Sequence, residues 1–325
     1  MSNYLVAGAA GFIGSKVSEL LLADGHTVTG VDILNDYYDI RLKNWRLARL
    51  QKHSDFVFHQ KDICDLQALE KIQNSDGSFD AVINLAAWAG VRASLENPWV
   101  YVDTNITGTL NLLELSRRFD IPKIILASTS SIYGSEAPLP TSEDADSSHP
   151  LQPYAASKKG AEAMCHAYHF LYDIDVTVFR YFTVYGPAGR PDMVMFRFAQ
   201  WIAENQPVRL NGDGEQTRGF TYVDDIARGT ILGLKSLGYE IINLGGHETI
   251  SMNEMVRVLE EYIGQKANIE HHPFPKADML ANQANVNKAG QLLGWEPQIN
   301  LRTGMRRMVD WYMQERDWAS QVLTQ

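Results

Sequence analysis

The sequence is poor in cysteine, with only Cys64 and Cys165 among 325 residues. Two cysteines cannot build the disulfide framework of a small secreted domain, so we expect a reducing compartment and two small packed side chains rather than a nucleophile. No run approaches the roughly 20 apolar residues of a membrane span, and the N-terminus lacks the basic segment of a signal peptide. We therefore expect a cytoplasmic protein without a membrane partner.

An excess of basic residues is also missing. The chain has 29 Lys+Arg and 39 Asp+Glu, a net charge of −10, which argues against a nucleic-acid partner. A few arginines could still hold a small anionic ligand. Hydrophobic residues make up 45% and charged residues 21%, which excludes a disordered or collagen-like chain. The pair His271-His272 has no other candidate ligands nearby, so we expect no metal site.

Short apolar strands alternate with longer amphipathic helices through the first part of the chain. We predict strands at 4–7, 27–31, 55–59, 81–85, 123–128 and 176–179, and helices at 14–24, 66–73, 104–119 and 153–172. This rhythm is typical of parallel βαβ units, so it predicts an α/β fold with a doubly wound parallel sheet. After residue 186 the pattern loosens, and we predict helices at 193–204, 224–235, 251–264 and from about 302.

Three glycines, Gly8, Gly11 and Gly14, stand between the first predicted strand and the first helix. Glycines let the backbone approach a pyrophosphate closely, and the helix N-terminus offers amide donors. Asp32 ends the second strand, where an acid accepts hydrogen bonds from the adenosine ribose and repels a 2′-phosphate. The pattern predicts a Rossmann-type site for NAD rather than NADP. The alternative is a structural turn followed by a solvated aspartate.

Polar and small residues follow the next two predicted strands. Asp62 and Ile63 follow the third strand, and Leu85, Ala86 and Ala87 end the fourth. Ligands bind at the carboxyl ends of strands in such sheets, so we interpret these residues as adenine and ribose contacts. Taken singly, each could equally be ordinary packing.

A cluster of hydroxyl residues, 128–131, ends the fifth predicted strand, and Tyr154 and Lys158 follow near the start of a helix. Residues at i and i+4 share one helix face. A lysine charge beside a phenol lowers the pKa of the phenol, which then acts as a general base nearer neutral pH. A hydroxyl of the cluster could bond the same reacting oxygen. In isolation, a tyrosine and a lysine at this spacing also occur by chance.

Together these motifs resemble the extended short-chain dehydrogenase/reductase family over nearly the whole chain. The stretches 105–111, 218–225 and 293–297 resemble further signatures of that family. The resemblance implies an NAD-binding Rossmann domain over residues 1–186. Residues 187–325 would form mainly a smaller, mixed α/β C-terminal substrate lobe, with 220–250 returning to the first domain. It also implies tightly bound NAD⁺, the catalytic triad Thr129, Tyr154 and Lys158, and further cofactor contacts from Phe12, Ile13, Asn35, Asn105, Tyr181 and Val184.

The residues after Thr129 distinguish reactions within this family. Dehydratases carry an Asp-Glu pair there and decarboxylases usually a Glu, whereas this chain has Ser130 and Ser131. The stretches 35–39, 89–92 and 181–193 resemble members that epimerise UDP-glucuronate at C4. Thr183 stands where UDP-glucose epimerases have Asn; its shorter side chain leaves room for a carboxylate on C5. Thr183 and the two serines could donate hydrogen bonds to that carboxylate.

The resemblance implies nine substrate contacts: Arg92, Ser130, Ser131, Thr183, Arg190, Met193, Leu210, Arg218 and Asp278. The planar guanidinium of Arg218 suits a diphosphate. Alternatives remain open: the serines could merely complete the strand end, Arg92 could be a surface residue at a helix start, and Arg190 could pair with Asp192. The chain departs from the family pattern at Gly219, where an Asp usually follows the arginine, and at Leu280 and Asn285.

We therefore expect NAD-dependent 4-epimerisation of UDP-glucuronate to UDP-galacturonate through a transient 4-keto sugar, without net redox. The alternatives are a UDP-glucose or UDP-N-acetylglucosamine 4-epimerase, a UDP-glucuronate decarboxylase and, more remotely, a non-catalytic NAD-binding redox sensor. The resemblance also implies a homodimer through helices 104–119 and 153–172. Their apolar residues fit that interface and fit packing on the sheet equally: Leu112, Leu113, Ala163 and Ala167.

Overall fold

The computed structural model of the chain describes residues 1–273 and 281–324. Its first part alternates strands and helices, as predicted. The elements in chain order are β1 (Asn3–Ala7), α1 (Phe12–Ala23), β2 (Thr27–Asp32), α2 (Ile40–Leu50), β3 (Phe56–Gln60), α3 (Leu66–Asp76), β4 (Ala81–Asn84), α4 (Ala93–Glu96), α5 (Trp99–Tyr101), α6 (Gly108–Arg118), β5 (Lys123–Thr129), α7 (Pro153–Tyr172) and β6 (Asp175–Tyr181). A π-helical segment, Val102–Thr107, precedes α6, and a 3₁₀ turn, Ser130–Tyr133, follows β5.

The second part adds two small sheets and more helices. Its elements are β7 (Thr183–Tyr185), α8 (Val194–Ala203), β8 (Pro207–Asn211), β9 (Thr217–Tyr222), α9 (Val223–Leu232), β10 (Tyr239–Leu244), β11 (Glu248–Ser251), α10 (Met252–Ile263), β12 (Asn268–His272), α11 (Asn287–Leu293), α12 (Leu301–Gln314) and α13 (Arg316–Ala319). One sheet has the order β11-β9-β7, and β12 pairs with β8 in the other. Since β9 is antiparallel to β11 and parallel to β7, this part is mixed α/β.

Seven strands form the large sheet in the order β10-β6-β5-β4-β1-β2-β3, and every pair in it is parallel. All seven residues of β5 are buried, because helices cover both faces of such a sheet. The strand order reverses between β1 and β4, and a crevice at the carboxyl ends of the strands is where such sheets bind ligands. The predicted doubly wound α/β fold is confirmed.

The core lies in layers on both sides of the large sheet. Successive side chains of a strand point to opposite faces: Val6 of β1 belongs to the apolar cluster that includes residues of α1 and α9. Leu5 and Ala7 belong to the cluster with residues of α3, α6 and α7. A third cluster, around Phe198 and Met255, fills the second part of the chain.

Several elements escape prediction from the sequence. The helix α2 was missed because four basic residues interrupt its apolar spacing, although Leu42, Leu47 and Leu50 are buried and the Asp39 side chain caps its start. The strands β7 to β12 were missed because β7 has only three residues and polar residues interrupt the apolar runs of the others. The predicted helix 104–119 begins as a π-helix, which apolar periodicity does not distinguish from an α-helix.

Both cysteines are free; Cys165 is buried and Cys64 partly so. Burial is the main cause that raises the pKa of each thiol to about 12. Cys165 is packed in the core as expected. Among the described residues, no helix combines the length and the apolar character needed to cross a membrane.

Candidate active site

The glycine turn between β1 and α1 is packed too closely for any side chain. Gly8 has φ +80°, and its carbonyl accepts a hydrogen bond from the Gly11 amide at 2.9 Å. A Cβ at Gly14 would lie 2.1 Å from that carbonyl oxygen. No side chain caps α1 at Gly11, so the first amides of the helix, beginning at Phe12 and Ile13, remain available to an anion. The turn therefore fits a pyrophosphate.

Asp32 ends β2 beside this turn. Its Oδ2 accepts a hydrogen bond from the Ala10 amide at 3.2 Å and its Oδ1 from the Leu34 amide at 2.9 Å. The buried Lys43 Nζ lies 3.6 Å from Oδ1 and donates to Asn35 Oδ1 at 2.7 Å. The predicted ribose-binding residues Asp32 and Asn35 are thus brought together by a lysine that the sequence analysis did not select. Lys43 lies in α2, a helix that was not predicted, so nothing in the sequence pointed to it.

The other predicted cofactor contacts line the same edge of the sheet. Asp62 accepts a hydrogen bond from the Cys64 amide at 2.9 Å, and Ile63 is buried. Leu85 donates its amide to the Ala7 carbonyl at 2.9 Å, and the backbone of Leu85 and Ala86 lies within 2.8 Å of where a Gly8 Cβ would stand. Ala87 continues this segment past β4. The carboxyl ends of four strands therefore surround one crevice.

Asn105 in the π-helix is fully used within the protein. Its side chain donates to the Trp88 carbonyl and accepts from the Trp88 amide, both at 3.0 Å, and donates to Ser157 Oγ at 2.9 Å. It therefore joins the segment after β4 to α7. Asn105 thus holds these two segments together behind the edge of the sheet where the cofactor contacts are predicted.

The predicted catalytic groups come from two adjacent elements. Thr129 is the last residue of β5, and Tyr154 and Lys158 lie one turn apart on α7. The Thr129 hydroxyl lies close enough to the Tyr154 phenol to act against the rise of its pKa, and Thr129 Oγ1 accepts from the Ser131 amide at 3.2 Å. Lys158 is buried. The structure thus brings a phenol and a hydroxyl together, with an ammonium one helical turn away.

The expected effect of Lys158 on Tyr154 is wrong for the chain alone. Burial raises the pKa of Tyr154, opposed by the Thr129 hydroxyl and by the charge of Arg190. Burial also lowers the pKa of Lys158 to about 8. Desolvation by the protein therefore dominates at both groups, and Arg190 is the cation that favours the phenolate.

Arg190 lies near Tyr154 and Tyr37 and holds a carboxylate as well. Its Nε and Nη2 donate to the two oxygens of Asp192 at 3.0 and 2.6 Å. Its guanidinium lies 5.8 Å from the centre of the Tyr37 ring. The pairing of Arg190 with Asp192, which the sequence left open as an alternative to a substrate contact, is thus observed. The charge of Arg190 still acts on the Tyr154 hydroxyl.

Three predicted contacts have side chains in the core instead. The Tyr181 hydroxyl is buried against Thr230 Oγ1 at 2.7 Å, and Val184 packs in the same apolar cluster. Leu210 is 1% exposed within the core of the second part. Their strands place these side chains inward, a choice of face that the motif resemblance does not give.

A cavity of about 390 Å³ lies beside the end of β5. Ser130, Tyr133, Gly134, Phe182 and Asn282 are among the residues that line it. The Asn282 Oδ1 atom is buried without a hydrogen-bond partner, so a bound polar molecule could satisfy it. The sequence analysis missed Asn282. Ser131 lies in the same 3₁₀ turn as Ser130, and Thr183 opens β7 directly after Phe182.

Positive charges gather near the start of α8. Burial and the charges of Arg92 and Arg209 lower the pKa of Arg197, with Asp192 opposing them. The Arg197 Nε atom is buried without an acceptor. Met193 is the N-cap of this helix. Arg92 and Met193 were predicted from the sequence, whereas Arg197 and Arg209 were not. The available signal was that Arg197 is the one charged residue in the helix 194–203.

The other predicted contacts and the departures from the family pattern belong to the second part of the chain. Arg218 on β9 donates to the Thr217 carbonyl at 2.8 Å. A Cβ at Gly219 would lie 2.3 Å from the Gly246 carbonyl oxygen, so the aspartate usual in the family does not fit this backbone. Asn285 Oδ1 accepts from the Asn287 amide at 3.0 Å at the start of α11. Asp278 and Leu280 lie outside the described residues.

Within residues 1–273 and 281–324, no group of three His, Cys, Asp or Glu side chains is arranged to hold a metal ion. The glycine turn, the acid at the end of β2 and the Thr, Tyr and Lys side chains share one crevice of the doubly wound sheet. This combination defines a nucleotide-cofactor enzyme of the short-chain dehydrogenase/reductase type.

Comparison with known proteins gives the family. The model of the NAD dependent epimerase/dehydratase family matches residues 4–245, and the chain belongs to this family. It is 58% identical over 312 residues to the UDP-glucuronate 4-epimerase of Thermodesulfobacterium geofontis, covering 96% of each chain.

Solved structures agree with the sequence relatives. The fold matches the UDP-glucuronic acid 4-epimerase of Bacillus cereus in complex with UDP-glucuronic acid and NAD with a TM-score of 0.89, 36% identity and coverage of 96% of this chain and 99% of that one. It matches the UDP-glucose 4-epimerase of Thermotoga maritima with a TM-score of 0.88, 31% identity and coverage of 97% and 99%. The resemblance found in the sequence is confirmed.

Proposed function

We propose that this chain interconverts UDP-glucuronate and UDP-galacturonate by 4-epimerisation through a transient 4-keto sugar, using tightly bound NAD⁺. The observation that carries the proposal is the end of β5, where Thr129 lies near Tyr154 and is followed by two serines rather than by acids. The 58% identical relative named UDP-glucuronate 4-epimerase supports the same substrate. The reaction has no net redox change.

The residues present fit NAD⁺. The glycine turn leaves room for a pyrophosphate, and Asp32 at the end of β2 suits the ribose hydroxyls and repels a 2′-phosphate. Asp62, Ile63 and residues 85–87 would line the adenosine part, and Lys158 the ribose next to the nicotinamide. When bound, NAD⁺ supplies a reversible hydride acceptor for C4 of the sugar.

Tyr154 takes the proton of the C4 hydroxyl in the forward step and returns it after the 4-keto sugar has turned over about its diphosphate link. Thr129 holds the reacting oxygen through its hydroxyl, and the charge of Arg190 favours the phenolate. General acid–base catalysis of this kind contributes roughly 10²- to 10⁴-fold. The pKa of Tyr154 is raised in the chain without its ligands. Ligand binding completes the positive charge around Tyr154, and this charge favours the ionised form of the phenol.

The C5 carboxylate of the substrate receives hydrogen bonds from Thr183, Ser130 and Ser131. A 4-keto uronate is a β-keto acid and loses CO₂ when the bond to the carboxylate aligns with the carbonyl π system. Neutral donors that hold the carboxylate near the ring plane prevent this alignment. The missing acid after Thr129 is therefore consistent with an epimerase rather than a decarboxylase.

The uridine diphosphate binds in the second part of the chain. Arg92, Arg197, Arg209 and Arg218 supply positive charge for the diphosphate, because charge-assisted hydrogen bonds to phosphate are strong. Met193 stands at the start of α8 beside them. Arg190 and Asp278 complete the proposed set of substrate contacts, and Leu210 is left out of it because its side chain lies in the core.

The chain forms a homodimer in the cytoplasm. Ala156, Ala163 and Phe170 recur every seventh residue on α7 and are exposed, and Phe170 is 77% exposed. A stripe of this spacing suits a helix pair with a second copy. Leu112 and Leu113 do not contribute, since both are buried under the chain's own sheet.

The test is incubation of the purified chain with UDP-glucuronate, without added cofactor, followed by separation of the nucleotide sugars. UDP-galacturonate is the expected product and would also indicate that NAD⁺ co-purifies. A UDP-pentose would contradict the role given to the serines and indicate decarboxylation. Absence of product with NAD⁺ added would move the substrate to a neutral sugar, with UDP-glucose tested next.

Thr183→Val tests the carboxylate contact. The valine keeps the shape but removes the donor to a charged group, so we expect KM for UDP-glucuronate to rise about tenfold. Thr249→Val, at an exposed position of β11, is the matched control and should leave KM unchanged. Unchanged turnover and binding of the uronate in Thr183→Val would contradict the assignment.

A further inference from the structure

A buried ion pair lies between β6 and α7, and the chemistry proposed above makes no use of it. Arg180 donates to Glu162 twice, from Nε to Oε1 at 3.1 Å and from Nη2 to Oε2 at 2.9 Å. Each side chain is 2% exposed. Ser128 Oγ donates to the same Oε1 at 2.5 Å, so the carboxylate is held from two strands at once.

This network joins the two elements that carry the proposed catalytic groups. Ser128 directly precedes Thr129 on β5, and Glu162 follows Lys158 by one helical turn on α7. Their hydrogen bond therefore crosses from β5 to α7 beside both groups. Arg180 is the register partner of Ser128 in the sheet, so β6 fixes the carboxylate from the other side.

The network also extends to the turn that carries the two serines. Arg180 Nη1 donates to the Tyr133 hydroxyl at 3.0 Å, and Tyr133 ends the 3₁₀ turn. That hydroxyl donates in turn to Asn243 Oδ1 of β10 at 2.7 Å. One arginine thus contacts both the helix of the proposed base and the turn that lines the cavity.

Stability alone does not explain these charges. Removing two ions from water is costly, and replacing a buried pair by well-packed apolar residues is often neutral or stabilising. We infer that Glu162 and Arg180 are positioning residues, which fix Thr129 relative to Tyr154 and Lys158 through the Ser128 hydroxyl. The inference rests on the proposed function, because it assumes that these three groups perform the reaction.

Ser128→Ala removes the crossing hydrogen bond and leaves the ion pair intact. Since a misplacement of about 1 Å can cost on the order of 100-fold in rate, we expect kcat to fall about tenfold or more, with KM for UDP-glucuronate unchanged within about twofold. Ser116→Ala is the control, since it deletes another buried hydroxyl, which donates to the Leu112 carbonyl at 2.9 Å. Equal kcat in the two variants would overturn the inference.

A double variant separates positioning from stability. Glu162→Met combined with Arg180→Met removes both charges, so no ion is left buried without its partner. Lys159, whose Nζ also lies 3.4 Å from Glu162 Oε2, is partly exposed and can turn to water. We expect a melting temperature close to that of the wild type and a reduced kcat. Wild-type kcat in this variant would overturn the inference, and Ser128→Ala decides the question if the double variant does not fold.

Crystal structures of the variants give a readout that needs no substrate. We expect the separation between Thr129 Oγ1 and Lys158 Nζ to change in Ser128→Ala and to stay unchanged in Ser116→Ala. An unchanged separation in both would overturn the positioning role. Wild-type protein without activity on UDP-glucuronate would instead defeat the proposed function, and the structures would still decide the role of the network.

Discussion

Arg180 and Arg197 show two ways in which this molecule keeps an arginine away from water. Arg180, between β6 and α7, donates hydrogen bonds to both oxygens of the Glu162 carboxylate and to the Tyr133 hydroxyl. Arg197, on α8, has a buried Nε without an acceptor and has Arg92 and Arg209 as neighbours. The first arginine therefore has its acceptors within the chain. Arg197 stacks on the Trp201 ring, 4.7 Å from its centre, and under the proposed function an anionic ligand would supply the acceptor that its Nε lacks.

Lys158 resembles Arg197 in this respect. Among the described residues, no carboxylate forms an ion pair with it, and burial lowers its pKa to about 8. A charge held at such a cost is typical of functional sites. Three predictions test the contrast between complete and incomplete charges, and they are ordered by the size of the expected effect.

The largest effect is expected at Tyr154, which touches both regions through Thr129 and the charge of Arg190. Tyr154→Phe should reduce turnover of UDP-glucuronate by roughly 10²- to 10⁴-fold, because the proton acceptor is lost. Bound NAD⁺ should be retained, as measured in the purified protein. Tyr172→Phe, at the exposed end of α7, is the control. Turnover that survives in Tyr154→Phe would remove the proposed mechanism.

The next effect concerns stability and pH. Lys158 has a folded pKa near 8, below the ordinary 10.5, so between these values the unfolded chain binds more protons and stability rises with pH. At pH 7 the penalty is fully present, and Lys158→Met should raise the free energy of unfolding by on the order of 3 kcal/mol. Urea unfolding of the cofactor-free chain measures it.

The advantage of Lys158→Met should shrink as the pH rises from about 8 towards 10.5, because the folded wild-type lysine is then neutral and the free energy needed to remove its proton falls with rising pH. Lys71→Met, at an exposed position of α3, is the control and should show no such trend. A variant that is less stable than the wild type at pH 7 would mean that the lysine charge is satisfied inside the folded chain.

The smallest of the three effects is expected at Arg197. Arg197→Met should weaken binding of UDP about tenfold, since a hydrogen bond to a charged group contributes about 1.5 kcal/mol or more, and should leave NAD⁺ binding unchanged. Isothermal titration with UDP measures this. Arg306→Met, which removes an exposed arginine stacked on Tyr262, is the control. Unchanged UDP affinity would make Arg197 a packing residue and remove the contrast with Arg180.

The cofactor half of the crevice was predictable because its signals are local. Gly8, Gly11 and Gly14 are required by contacts within one turn of chain, and Asp32 follows at the end of the next strand. Thr129, Tyr154 and Lys158 were predictable for the same reason. Thr129 ends one strand, and Tyr154 and Lys158 lie one turn apart on one helix. The proposed substrate half was only partly predictable, since Arg197, Arg209 and Asn282, which the proposal adds, come from separate elements without a local motif.

The sequence by itself determined the alternation of strands and helices, the parallel sheet and the residues at its carboxyl edge, because periodicity and glycine spacing act over a few residues. Only the tertiary structure decided which side chains face the crevice: Tyr181 and Leu210 point into the core, while Lys43 and Arg197 join the site. It also decided the charge balance at Tyr154, where burial raises the pKa more than the Thr129 hydroxyl and the charge of Arg190 lower it. Desolvation depends on everything packed around a group, and that surrounding comes from distant parts of the chain.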